Sequence, residues 1–165
     1  MNATAARLSD PLPSLLLRPY AAADWPRLCA IHDAARRHEL RDAGLDAAFL
    51  TLEQTAEGEG LFDGEVVVAE RAGQVLGFVA FADAELTWLY VDPACARQGV
   101  GRCLLRHAID ACDGAMSTEV LVGNDAALAL YQAEGFAIVR RVDGRLTGNE
   151  AFAASGYVLE RVAAG

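Results

Sequence analysis

The chain has 165 residues, 53% of them hydrophobic and 22% charged, with a formal net charge of −9. That length suits one domain that can bury about two-thirds of its unfolded surface. The acidic balance argues against a general nucleic-acid binder, and no apolar run approaches the roughly 20 residues that would cross a bilayer. The N-terminus carries Arg7, Asp10, Pro11 and Pro13 without an uninterrupted apolar stretch, so a cytoplasmic protein is expected. All fourteen basic residues are arginine, which reads as compositional bias.

In chain order, residues 1–11 are expected to be a disordered tail ahead of a single domain over 12–165. Leu12 to Arg18 is an apolar run ended by Pro19 and predicts a strand. Asp24 is placed to cap a helix starting at Trp25-Pro26, since proline is tolerated in a first turn. Leu28, Ile31 and Ala35 recur along that helix at its period. Residues 39–62 predict a second helix with loops. Val66–Glu70, Val75–Phe81 and Leu86–Val91 predict an antiparallel meander closed by Asp92-Pro93.

Gly101–Cys112 is amphipathic: Leu104, Leu105, Ala108, Ile109 and Cys112 share one face. Thr118–Val122 predicts a strand. Asn124 caps a helix running through Glu134, with Gly135 at its left-handed end. Phe136–Val142 and Ala151–Val162 predict two more strands around an Asp143-Gly144 turn and Thr147-Gly148-Asn149. The order is β-α-α-β-β-β-α-β-α-β-β, a mixed α/β sheet.

Four cysteines, Cys29, Cys95, Cys103 and Cys112, form no C-x-x-C pair and have no histidine at metal spacing, so no metal is expected. Cys29, Cys103 and Cys112 read as small helical apolar residues, and Cys95 as a loop bystander. His32 and His107 read as helix-surface residues. The acid is unevenly placed: residues 39–65 hold eight carboxylates against Arg41 alone. Such a run is either a solvated helix face or a rim that attracts a cation.

A Gly-x-Gly turn opens the predicted helix after the meander, in Arg97-Gln98-Gly99-Val100-Gly101-Arg102. Glycine lets consecutive amides converge on an anion at the positive end of the helix dipole. Alone this is a generic anion site. It lacks the Gly-Lys-Ser/Thr of a Walker loop and the third glycine of a dinucleotide fingerprint. What gives it meaning is Asn124, with Tyr131 seven residues on, in a later helix.

With Leu89-Tyr90-Val91-Asp92-Pro93, Gln98-Gly99-Val100-Gly101, Leu121–Asn124, Leu130-Tyr131 and Gly135-Phe136 in this order and spacing, the chain resembles the GCN5-related N-acetyltransferase (GNAT) superfamily. The resemblance implies the GNAT fold and an acetyl-CoA-dependent transfer to a primary amine by direct attack in a ternary complex. It implies that the strands Leu86–Val91 and Thr118–Val122 splay around the cofactor's pantetheine arm. Leu89, Tyr90, Val91, Arg97, Gln98, Gly99, Val100, Gly101, Arg102, Asn124 and Tyr131 would contact the cofactor. The Leu89 amide would polarise the thioester carbonyl, and Tyr131 would protonate the departing thiolate.

The general base stays open between Glu85 and Glu119, each at the position of a catalytic glutamate in one branch of the superfamily. Water-mediated transfer or a group from 39–62 is a further option, with His38 and Glu39 weaker. One departure is Ala96, where the family usually carries Gln or Arg; Arg97 stands next to it. The acidic segment favours a small cationic amine as acceptor, with a protein N-terminus as the alternative. A non-catalytic CoA-binding module is the alternative of another class. The last two strands suit pairing into a homodimer.

Overall fold

The computed structural model describes residues 13–164, so the expected tail over 1–11 lies outside the described residues. Seven strands form one sheet: β1 Leu16–Pro19, β2 Glu65–Arg71, β3 Gln74–Ala82, β4 Glu85–Val91, β5 Met116–Leu121, β6 Ala137–Arg145 and β7 Ala153–Arg161. Four α-helices accompany them: α1 Trp25–Asp42, α2 Leu52–Thr55, α3 Val100–Ala111 and α4 Asp125–Ala133. The spatial order is β1-β2-β3-β4-β5-β7-β6. Every neighbouring pair is antiparallel except β4 and β5.

Around β2 and β3 both faces of the sheet are covered, which is why these strands read as nearly continuous apolar runs. Val67, Ala69 and Val79 face α3 and α4, in a cluster with Leu104, Leu105, Ala108 and Tyr131. Val68, Phe78, Ala80 and Trp88 face α1 and α2, against Leu28, Ile31 and Leu52. The two hairpin turns of the meander have consecutive positive φ at Ala72-Gly73 and Asp83-Ala84. That backbone matches the right-handed twist of flanking strands.

Several expectations need correction. β1 begins at Leu16 and includes Pro19 as its last residue, which is tolerated because β1 is an edge strand. Asp24 does not cap α1 with its side chain. Its carboxylate takes two hydrogen bonds from Arg18, at 2.7 and 2.8 Å, and one from the Ala21 amide. A charge-assisted partner on β1 outcompetes the local amide. The 39–62 stretch holds the end of α1, a 3-10 turn at Asp46–Ala48 and the single-turn α2. Asp143 and Gly144 make no turn, because β6 runs on to Arg145, and the chain reverses over residues 146–152.

Candidate functional site

β4 and β5 pair at only two positions, Glu85↔Ser117 and Leu86↔Thr118, and then part. At the vertex the Thr118 hydroxyl donates to the Leu86 carbonyl at 3.0 Å. Just beyond it, Thr87 is left out of register, since Ala80 faces Trp88 while Phe81 faces Leu86. This bulge bends β4 away and reverses the alternation of its side chains. Leu86, Leu89 and Val91 pack toward α3, whereas Trp88 and Tyr90 pack toward α1.

The backbone of β4 follows the same logic. The Asp92 amide donates to the Leu76 carbonyl of β3. By antiparallel alternation, Tyr90 also spends its amide and carbonyl on β3. The amides and carbonyls of Leu89 and Val91 therefore point into the gap beside β5. An extended ligand could lie there as an extra strand.

Four features meet that gap on the α3–α4 face. Gly99 precedes α3 in the left-handed region, with φ 82° and open space where a Cβ would be. The following amides, at Val100 and Gly101, start the helix, and the Val100 side chain is buried in the core. Asn124 caps α4 by accepting from the Ala127 amide at 3.2 Å. Tyr131 is buried, with its ring on Phe136 and its hydroxyl beside Thr118 at the vertex. Burial pushes the Tyr131 hydroxyl well above the usual phenol range, opposed by the Thr118 hydroxyl and reinforced by Glu39. Burial thus favours the protonated phenol.

Two expected cofactor contacts have side chains engaged with other partners. The Tyr90 side chain is on the α1 face, against His32 and Phe78, and its hydroxyl donates to Glu39 at 3.2 Å. Arg102 forms an ion pair with Glu134 at 2.9 Å, which Arg106 shares. Arg97 is exposed, in the left-handed region with φ 61°. Gln98 is exposed and accepts from Arg71.

On the α1 face the gap opens into a cleft of about 700 Å³ between α1, α2 and the segment joining β6 to β7. Glu85 and Glu119 both line it. Glu85 belongs to the closed end of the β4–β5 pair, and Glu119 is the first residue of β5 past the vertex. Of the eight acids in 39–65, only Glu39 and Glu59 reach the cleft. The other six fit the solvated-face reading.

Several cleft residues escaped the sequence reading. Arg36 donates to Glu39 at 2.8 Å. Glu59 lies so close to Gly148 that a Cβ there would collide with its carboxylate. Burial raises the Glu59 carboxyl, Arg36 opposes that, and Glu150 adds to it. His32 is buried at 2% exposure, not on the surface, and His107 is half-buried against Phe81. Burial lowers the His32 pKa, and this outweighs the opposite pull of Asp33 at 2.9 Å. Asp33 is shared in any case, since it also accepts from the Leu52 amide. All four cysteines are free, and Cys103 is exposed. Among the described residues no group of three or more His, Cys, Asp or Glu could hold a metal ion, and no helix is long and apolar enough to cross a membrane.

Residues 62–138, which include the meander, the glycine turn and Tyr131, match the acetyltransferase (GNAT) domain family. Over these residues the chain is similar to the GCN5-related N-acetyltransferase (GNAT) superfamily. It is similar to the N-alpha-acetyltransferase RimI of Mycobacterium tuberculosis, 37% identical over 97 residues, covering 52% of this chain and 61% of that protein. It is also similar to the [ribosomal protein bS18]-alanine N-acetyltransferase of Escherichia coli K12, 41% identical over 78 residues, covering 41% of this chain and 53% of that one. The chain thus spans between about half and three-fifths of the length of these relatives. Among solved structures, the ribosomal-protein-alanine N-acetyltransferase of Brucella melitensis superposes with a TM-score of 0.67 at 26% identity, covering 89% of this chain and 99% of that one. The GNAT domain match ends before the β6–β7 segment and begins after α1 and α2, so it covers little of the cleft.

Proposed function

We propose that this chain is an N-acetyltransferase that moves an acetyl group from acetyl-CoA to a primary amine by direct attack in a ternary complex. The observation that carries this is the parting of β4 and β5 with the Tyr131 hydroxyl at its vertex. The free backbone edge of Leu89 and Val91 would hold the pantetheine arm, and the amides at Gly99–Gly101 the pyrophosphate. The open space at Gly99 fits a close approach by phosphate.

The residues then have separate tasks. The Leu89 amide donates to the thioester oxygen as negative charge builds there. Tyr131 returns a proton to the departing sulfur. Its raised pKa makes it a weaker acid, but the same dry pocket makes a thiolate more basic, so the transfer stays favourable. Glu119 takes the proton of the acceptor's ammonium, directly or through water, because it stands just beyond the vertex. Glu85 is the second choice, behind the closed end of the pair.

The acceptor in this proposal is the α-amine of a polypeptide. The relatives named for N-alpha and ribosomal-protein-alanine acetylation support it. So does a cleft within the roughly 300–1,000 Å³ of sites for drug-sized ligands, open enough for the first residues of a chain. A small cationic amine is the second reading, favoured by Glu39, Glu59, Glu85, Glu119 and Glu150 on the cleft wall. Thiol release from acetyl-CoA, measured with peptides of free N-terminus, the same peptides N-blocked, and polyamines, separates these. Release with free peptides alone is expected. Release with polyamines alone would reverse the acceptor assignment. Tight acetyl-CoA binding without release would leave a non-catalytic CoA-binding module.

A further inference from the structure

We propose that Arg71 is a phosphate ligand of coenzyme A, supplied from β2 to the glycine turn. The proposal rests on the acetyl-CoA reading of the site and extends it to a residue outside the motifs named from the sequence.

The strand pattern places Arg71 first. Val67 and Ala69 face α3, and side chains two apart on a strand share a face. Arg71 therefore projects to the face where α3 lies. It is the last residue of β2, at the end of the sheet where Leu76 of β3 bonds Asp92 ahead of the glycine turn. Its NH1 donates to the side-chain oxygen of Gln98 at 2.9 Å. The guanidinium is thereby tethered to the phosphate loop across 27 residues of chain.

Its state of pairing points to a ligand. Arg18, Arg27, Arg36, Arg41, Arg102, Arg106 and Arg141 each sit within 4 Å of a carboxylate. Arg71, like Arg37, Arg97, Arg140, Arg145 and Arg161, has no carboxylate partner among the described residues, although the chain carries more acids than bases. Its Nε is buried and makes no hydrogen bond, alone among the buried side-chain nitrogens and oxygens of the described residues. Folding leaves such an N–H unmet only at a cost. Gln98 offers this cation one neutral acceptor. A phosphate offers several charged oxygens in the geometry that a guanidinium matches, and a small turn of the side chain would bring them within reach.

Ala96 makes this need specific. A methyl group there cannot bond a phosphate, and Ala96 is itself exposed. Arg97 next to it is exposed and unanchored, so it supplies charge without fixed direction. Arg71 has both charge and an anchor.

The test is calorimetric binding of CoA, dephospho-CoA and S-acetylpantetheine to the wild-type chain, Arg71→Gln and Arg71→Lys, with thermal unfolding as a fold control. Arg71→Gln should bind CoA about ten-fold or more weakly and bind S-acetylpantetheine, which lacks every phosphate of the nucleotide, as wild type does. A loss that persists with dephospho-CoA assigns Arg71 to the pyrophosphate, and one that vanishes assigns it to the 3′-phosphate. Arg71→Lys should fall between, and it carries the test if the glutamine variant does not fold. Unchanged CoA affinity in a folded variant overturns the proposal and leaves the acetyl-CoA reading intact. A wild-type chain that binds no CoA overturns both.

Discussion

The Thr118 hydroxyl donates to the Leu86 carbonyl at the last position where β4 and β5 are paired. One side chain thus ends a ladder that the backbone abandons, and it does so beside Tyr131. Thr118→Val keeps the shape and removes the donor. A buried carbonyl losing a partner costs about 1–3 kcal/mol, so urea unfolding should give a stability lower by that amount, seen as a lower midpoint with the slope unchanged. An unshifted midpoint would mean that the vertex does not depend on this bond.

Tyr131→Phe should lower turnover about ten-fold or more while acetyl-CoA binding persists. The raised phenol pKa adds a second expectation. Turnover of the wild-type chain should rise with pH as the acceptor amine and its base lose protons, without a falling limb up to pH 10. A descending limb near 9 to 10 that disappears in the phenylalanine variant would contradict the dry environment described for this hydroxyl.

The elements around the proposed donor half of this site were legible because their signals are local. Glycine at a helix start, Asn124 at a cap and the 3.6-residue period of α3 each announce themselves within a few residues. The acceptor half was not. Arg36, Glu39, Glu59 and Glu150 come from three separate segments, and only folding puts them on one wall. The single extra residue at Thr87 shows the limit most clearly. Strict alternation from Leu86 would place Trp88 and Tyr90 on the α3 face with it. The bulge turns them toward α1 instead, and Tyr90 changes from an expected cofactor contact to a partner of Glu39. Asp24 failed for a related reason, since its stronger partner, Arg18, comes from β1.

Register separates the two candidate bases. Glu119→Gln should reduce turnover by about 10²-fold at neutral pH, within the range for general bases, with KM for acetyl-CoA little changed. Glu85→Gln should cost much less. The reverse ranking in steady-state assays would move the base to the closed end of the strand pair.

Gly99→Ala meets no neighbour, so any effect must come from the backbone. A left-handed φ at a residue with a Cβ costs roughly 1–2 kcal/mol. The variant should either lose that much stability or relax the turn, and relaxation would weaken CoA binding. Calorimetry of unfolding and CoA titration together would read both, and a variant unchanged in both would remove the turn's geometric role.

His32 should make stability fall on mild acidification. Burial holds its folded pKa below the ordinary value of about 6.5, so the unfolded chain binds the extra proton first. The stabilising contribution is complete above the unfolded pKa and is lost as pH drops from there toward the folded one. A single group can contribute a slope of at most about 1.4 kcal/mol per pH unit in that window. The thermal midpoint should therefore decline between pH 7 and 5. The part due to His32 should be missing in His32→Gln, whose absolute stability will be lower because the ring packs on Trp88 and Tyr90. Identical pH slopes in the two proteins would remove His32 as the cause, since Asp24 and Asp92, held low by Arg18 and Arg27, lose their contribution only below about pH 5.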